Sequence, residues 1–384
     1  MTRVTAGLLI AAFSLSGLTC GGERSAPKAA SQADIPVGVY AALTGPTATF
    51  GRGTREGVEL AAEEINAAGG LLGGRKIRLI VEDDQGKPEE AATVVTRLIT
   101  SNDVIAVIGE NISANSLAAA PILQRAGVPM ISPSSTNPAV TEKGDFIFRV
   151  CFIDSYQGDA LAKFARETLK LERVAIIQDV KNAYSVGLAE FFGKGFAKRG
   201  GTITGVQSYS EGDADVRAQL TALRSTKPQA IVIPGYYTDV GTIALQARDL
   251  GINVPLLGGD GWDSPALLEI GGAALNGSYF ANHYSVSEQR PEVQNFVKKF
   301  RAKHGKDPDS LNALSYDAMR LLADSIQKAG SVEGKAIRDR LAIVKDFPGV
   351  CGVISMGPDR NPIKPVVILK VEQGKILFAG RVTP

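Results

Sequence analysis

The side chains best suited to hold a small charged molecule fall in short polar segments. These are GENIS with Ser113, ISPSST with Ser134 and Thr136, NAYSVG with Tyr184, PGYYT with Tyr236 and GGDG with Asp260. Hydroxyls and backbone N–H groups can hold a carboxylate, and an aspartate can hold an ammonium. The combination suits a ligand carrying both charges, as an amino acid does. Each segment follows an apolar run that reads as a strand. In open α/β sheets, ligands bind outside the carboxyl ends of the strands.

Each residue also has a plainer use. Ser113 stands where a helix N-cap is expected, and the same free N–H groups attract anions. ISPSST reads equally as a polar turn. Asp260, set between glycines, could serve only as a turn residue. Phe50, in the loop Gly45 to Gly51, either walls a cleft or staples the core. Tyr236 and Tyr237 are adjacent on an extended or turning segment, so at most one should reach a ligand. Trp262 walls a pocket or packs between elements. Glu82, Asp83 and Asp84 end a strand without a complete ligand set, which favours local hydrogen bonding over a metal.

Other chemistries lack their residues. There is no GxxxxGK[ST], no GxGxxG after a strand and no HExxH. GxSxG is absent, and the two histidines, His283 and His304, leave little for a catalytic triad or a multi-histidine metal site. No catalytic residue, metal or cofactor is expected, and an exported α/β enzyme is the lesser alternative. A net charge of +2 without a basic aromatic stripe points to no nucleic-acid surface.

The elements that would position these groups alternate between strand and helix from Ile35 onward. IPVGVYAAL, IRLIVED, VIAVIG and VPMIS read as strands. Between them, Val58, Ala61, Ala62, Ile65 and Ala68 repeat at helical spacing, and PEEAATVVTRLIT opens with a helix-starting proline and two glutamates. Such βα repeats imply a parallel sheet covered by helices. A second series runs through RVAIIQD, GTITGV, QAIVIPG and VPLLGG, with helices near 185–199, 215–225 and 238–250. Two more helices are expected at 291–304 and 310–329, then a terminal hairpin turning at Gln373-Gly374. A length of 384 residues suits two to three domains.

The N-terminus reads as an export signal: Arg3, then a largely apolar run from Val4 to Leu18, then Cys20 and a small, polar tether. The run is shorter than the about 20 residues a membrane helix needs. Residues 1–20 are expected to be a signal peptide with Cys20 acylated, and 21–33 the tether. Ordinary secretion with cleavage nearby is the alternative. Export permits a disulfide between Cys151 and Cys351, and two buried free thiols are equally open.

These segments, in this order, resemble the periplasmic branched-chain amino-acid (Leu/Ile/Val) binding proteins, the type I solute-binding components of ABC importers. The resemblance runs from about Asp34 to Lys370 through LTGPTATFGRGTREGVELAAEEINAAGG, VEDDQGKPEEA, ISPSSTNPAVT, DSYQG, AYSVGLAE, PGYYTDVG and LLGGDG. It implies an α/β fold of two Rossmann-like lobes with a three-crossover hinge. Lobe 1 would be 34–150 plus 282–350, and lobe 2 would be 151–281 plus 351–384. The crossovers would fall near Arg149–Ile153, Ser278–His283 and Val350–Met356, making Cys151 and Cys351 hinge neighbours that could bond.

The resemblance also implies roles. Ser113, Ser134 (through its backbone) and Thr136 would bind the ligand carboxylate. Asp260, at a position where the family carries glutamate, would bind the ammonium. Tyr184 and Tyr236 would add contacts, and Phe50 a wall. The expected protein is an exported, anchored lipoprotein of the periplasm or cell envelope. It would meet the membrane through its lipid alone and serve permease and ATPase subunits of an importer. A polar or aromatic amino acid, an amide, urea or an aromatic acid is the alternative ligand.

Overall fold

The computed structural model of the chain describes residues 33–383 together with Met1, Thr2 and Thr5. The export signal, Cys20 and the tether up to 32 lie outside the described residues. No helix among the described residues is long and apolar enough to cross a membrane.

The first βα series folds as its spacing predicts. In order come β1 (Ile35–Ala41), α1 (Ala48–Ala67), β2 (Ile77–Asp83), α2 (Pro88–Thr100), β3 (Ala106–Ile108), α3 (Ser113–Ala126), β4 (Met130–Ser132) and β5 (Ile147–Arg149). The five strands are parallel, in the order β2-β1-β3-β4-β5. β1 is buried along almost its whole length, as a strand covered on both faces must be. α1 sends Val58, Ala61 and Ala62 into the core. α2 starts at Pro88, where a missing N–H costs nothing, and Glu89 and Glu90 meet the positive helix end.

After Arg149 the chain enters α4 (Asp154–Lys163), prolonged by one wider turn to Thr168. The sequence pattern did not reveal α4, because Gly158 interrupts its apolar face. A Cβ at Gly158 would lie 2.7 Å from the Phe192 backbone nitrogen, so the glycine lets two helices touch. The second series follows as β6 (Arg173–Asp179), α5 (Ala183–Lys198), β7 (Thr202–Tyr209), α6 (Arg217–Ser225), β8 (Ala230–Val232), α7 (Tyr237–Asp249), β9 (Leu256–Gly258), α8 (Pro265–Gly271) and β10 (Ser278–Asn282). Its parallel strands lie in the order β7-β6-β8-β9-β10. Numbered within each lobe, both sheets therefore read 2-1-3-4-5. The two lobes share one topology although no sequence repeat is visible.

The chain then returns to the first lobe as α9 (Pro291–His304), α10 (Ser310–Ala329) and α11 (Gly334–Ala342). Leu314, Met319, Leu321, Leu322 and Ile326 enter the first core together with Val58 and Phe148. α1 and α10 cross at Gly57, where a Cβ would lie 2.2 Å from the Asn312 carbonyl oxygen. A short ladder of β11 (Phe347–Gly349) and β12 (Gly352–Ile354) follows, and β13 (Val366–Glu372) with β14 (Lys375–Val382) closes the second sheet as an antiparallel hairpin.

Two crossovers lie further along the chain than expected. β10 is still a strand of the second sheet, so the chain crosses over 283–290. The last crossing runs over 355–365, because Phe347, Cys351 and Ile354 pack in the first core. Asp317 of α10 holds that ladder: its carboxylate accepts the Val350 and Cys351 amides at 2.8 and 2.9 Å. Cys351 thus belongs to the first core rather than to the second lobe. Cys151 and Cys351 are both buried free thiols there, not a disulfide. Burial pushes the Cys151 thiol up to about 12, which keeps it protonated.

Candidate ligand-binding site

A narrow pocket between the lobes is lined by Phe50, Ser134, Thr136, Tyr184, Tyr236 and Asp260, with Asn111, Gly261 and Leu311 completing it. The shared topology explains the convergence. In each lobe the lining groups follow the first, third and fourth strands. In the first lobe these are Phe50 after β1, Asn111 after β3, and Ser134 with Thr136 after β4. In the second they are Tyr184 after β6, Tyr236 after β8 and Asp260 after β9. Each set straddles the point where its strand order reverses, the usual crevice in such sheets.

The lobes touch across this pocket. Tyr237 donates its hydroxyl to the Pro46 carbonyl at 2.8 Å, and Thr49 Oγ1 lies 2.9 Å from Ser264 Oγ. Phe50 stands edge-on to Tyr236 and Tyr237, with ring centroids at 5.7 and 5.0 Å. Asn137 Nδ2 donates to the Ala183 carbonyl at 2.9 Å. The cleft is closed, and its free volume of about 10 Å³ matches a single water molecule. Of the adjacent tyrosines, Tyr236 lines the pocket and Tyr237 latches the lobes. Phe50 serves both of its expected uses, as pocket wall and as packed aromatic.

Asp260 is the most heavily engaged side chain. Gln157 Nε2 donates to its Oδ1 at 3.0 Å, and Gln157 Oε1 accepts the Asp260 amide at 2.8 Å. His283 Nε2 lies 2.9 Å from Oδ2, and Ser134 Oγ approaches Oδ2 at 3.5 Å across the cleft. A carboxylate oxygen only accepts, so His283 carries its proton on Nε2. Burial of His283 depresses its pKa, and the Asp260 contact only partly offsets this. The neutral ring stacks on Phe152 with centroids 3.8 Å apart. Gln157 also donates to Asp154 Oδ1 at 3.1 Å. Burial, and then the Asp260 charge, push the Asp154 carboxyl well above the usual range, favouring its protonated form. Asp260 offers about four lone-pair sites in all, so these neighbours leave room for a ligand ammonium.

Tyr184 and Tyr236 extend the second-lobe wall beside Asp260. Tyr184 is placed by the α5 cap, in which Asn182 accepts the Tyr184 and Ser185 amides. Its hydroxyl accepts the Gly261 amide at 3.1 Å, and its ring stacks on Tyr236 at 5.3 Å. Ser113 does not line the pocket. It is the first residue of α3 rather than its cap, and its hydroxyl accepts the Asn137 amide at 3.2 Å. Ser113 therefore braces the strand-end turn that presents Thr136. Glu110 braces the same region: its carboxylate accepts the Ala42 amide at 3.0 Å and the Ile112 amide, and burial holds its pKa well above the usual range.

The remaining candidates resolve into structural roles. Trp262 is fully buried and donates Nε1–H to the Ile233 carbonyl at 2.9 Å, so it packs the core. Glu82 pairs with Arg97, Asp83 accepts the Leu43 and Gln85 amides, and Asp84 accepts the Gly86 amide and Asn115 Nδ2. These acidic residues organise the loops behind the cleft. Asn111, Gln157 and His283 escaped the sequence reading. The scarcity of histidine, and the position of His283 at the end of an apolar run, were the available signals for that residue.

Comparison with known proteins agrees with this two-lobe fold. Residues 34–375 match the family described as periplasmic binding protein. A curated relative, the Leu/Ile/Val-binding protein BraC3 of Rhizobium johnstonii, is 32% identical over 354 residues, covering 91% of this chain and 95% of that protein. Among solved structures, the leucine-binding protein LivK of Thermotoga maritima is 40% identical with a TM-score of 0.87, covering 91% of this chain and 99% of that one. The branched-chain amino-acid substrate-binding protein LivJ of Streptococcus pneumoniae, solved with isoleucine, is 34% identical with a TM-score of 0.87, covering 91% and 100%.

Proposed function

The chain belongs to the periplasmic binding protein family, and we propose that it is the extracytoplasmic solute-binding subunit of an ABC importer, capturing an amino acid of the branched-chain class between its lobes. The observation that carries this reading is Asp260, a carboxylate of the second lobe held in a closed pocket against Ser134 of the first. A zwitterion leaves water only if both its charges find partners. Asp260 supplies one partner, and the Ser134–Thr136 turn supplies donors for the other. With the two anchors on different lobes, the ligand bridges them and favours the closed state, because only that state offers both. Relatives named for leucine, isoleucine and valine favour aliphatic side chains against Phe50 and Leu311.

An acylated Cys20 would tether the protein to a membrane, and the permease and ATPase subunits would receive the ligand from the open lobes. The test is calorimetric titration of ligand-stripped protein with leucine, isoleucine and valine, repeated on Asp260→Ala. Leaving the ammonium unpaired should cost about 2–5 kcal/mol, or ~30- to several-thousand-fold in affinity. Unchanged affinity in the variant would remove Asp260 from the site.

A further inference from the structure

The first lobe carries a second cavity, of about 490 Å³, where α10, α11 and β11 meet. It shares no residue with the interlobe pocket, and Asp324 on its wall lies roughly 20 Å along α10 from Leu311 at the helical rise. Arg320, Asp324 and Lys328 recur every fourth residue and so share one face of α10. Arg340 comes from the last turn of α11, and Lys345 from the loop that leads to β11. Only two carboxylates line the cavity with these four cations. Asp324 is taken by Lys328 at 2.9 Å, and Asp346 accepts the Ser355 hydroxyl at 3.3 Å. Among the described residues, Arg320, Arg340 and Lys345 have no carboxylate partner. Arg320 is nonetheless held in place. Its guanidinium lies 5.5 and 5.4 Å from the ring centroids of Tyr316 and Phe347, and it donates to the Pro348 carbonyl at 3.2 Å. Its other N–H donors remain for a ligand.

Ser325 lines the same cavity and is 1% exposed. A serine within a helix can bond the carbonyl four residues back, yet this hydroxyl has no partner. A buried hydroxyl without a partner is costly, and alanine would serve packing alone as well. One oxyanion would answer both deficits, accepting from the hydroxyl and pairing the cations. Ile343, Val344, Phe347 and Pro348 add apolar wall, so there is room for more than the charged group.

We infer that this cavity is a second binding site, which takes a phosphate ester: Arg320, Arg340 and Lys345 pair its charge, and the Ser325 hydroxyl donates to one of its oxygens. A phosphate offers more acceptor oxygens and more charge than a carboxylate, and an arginine fork matches its geometry. The group arrives either on a soluble ester or on a lipid headgroup, and the chemistry recognised is the same. The inference is independent of the amino-acid reading.

The experiment has two arms, both in about 0.15 M sodium chloride so that diffuse attraction is screened. One is calorimetric titration with glycerol 3-phosphate. The other is co-sedimentation with phosphatidylglycerol vesicles, compared with zwitterionic phosphatidylcholine vesicles. Each is run on the natural chain, on Ser325→Ala and on the double variant Arg340→Gln/Lys345→Gln. The expected result is saturable binding in at least one arm, and the arm that responds identifies the source of the phosphate. The double variant should weaken it by about tenfold or more, and Ser325→Ala by about threefold or more. Ser325→Ala removes no charge, so it separates a formed site from a basic surface. Binding in neither arm would overturn the inference, and so would binding that Ser325→Ala leaves unchanged. If the double variant does not fold, Ser325→Ala decides alone.

Discussion

Asp260 has one methylene fewer than the glutamate that family resemblance places at its position, and its neighbours determine where the shorter carboxylate sits. Gln157 clamps its amide and Oδ1 together, and His283 fixes Oδ2. His283 must stay neutral for this arrangement to attract an ammonium. Burial lowers its pKa, and the Lys364 charge pushes the same way, while Asp260 and Asp263 oppose. Protonating the ring puts a cation beside Asp260 in competition with the ligand, and a bound ammonium in turn resists that proton. Affinity should therefore fall on the acid side of the ordinary histidine value of about 6.5. His283→Gln keeps an N–H donor but cannot titrate. It should bind leucine at pH 7.5 nearly as the natural chain does and lose the acid decline. An identical pH profile in both proteins would show that His283 is not the titrating group. Ser134, Thr136, Tyr184, Tyr236 and Asp260 were legible as pocket candidates from short polar segments after strands, and Phe50 from the glycine- and proline-containing stretch at the start of α1. Asn111 and His283 also follow strands, yet they and Gln157 were not legible, because their roles depend on contacts between distant segments.

The elements most readily read from the sequence were those with an uninterrupted pattern. α2, α9 and α10 fall where the spacing put them, and the hairpin turns at Gln373-Gly374. α4, α8 and α11 were missed. Gly158 breaks the first pattern for the sake of helix contact, and α11 buries only Ile337 and Leu341, too few to mark a period. The start of α10 carries a feature no pattern shows. Asp309 caps it, accepting the Asn312 amide at 3.0 Å in a reciprocal capping box. Burial, and then the charge of Asp263, push its pKa up to about 7. An unfolded aspartate titrates near 3.9, so between those values the folded state holds more protons. Stability from this group is fully present below about pH 4 and is lost as pH rises through about 7. Asparagine caps a helix as well as aspartate. Asp309→Asn should therefore raise the thermal midpoint at pH 8 and leave it nearly unchanged at pH 4. An equal change at both pH values would contradict the assignment.

At the scale of the whole molecule, two lobes of one topology face each other through equivalent strand ends, and the pocket-lining residues divide between them. The alternation of strands and helices announced two such lobes. It could not place the crossovers, which depend on packing such as the Asp317 clasp that keeps Cys351 and Ile354 in the first core. In the closed structure the pocket has room for about one water, so an amino acid must enter an opened cleft and part Phe50 from Tyr236 and Leu311. In the function proposed above, closure then depends on both charges being paired across the hinge. The most direct test compares leucine with 4-methylpentanoate, which keeps the carboxylate and branched chain but lacks the amine, by calorimetry on the ligand-stripped protein. The account predicts a saturable isotherm for leucine and affinity weaker by at least ~30-fold for the amine-free acid. Equal binding of the two would contradict it, since Asp260 would then have no charge to pair.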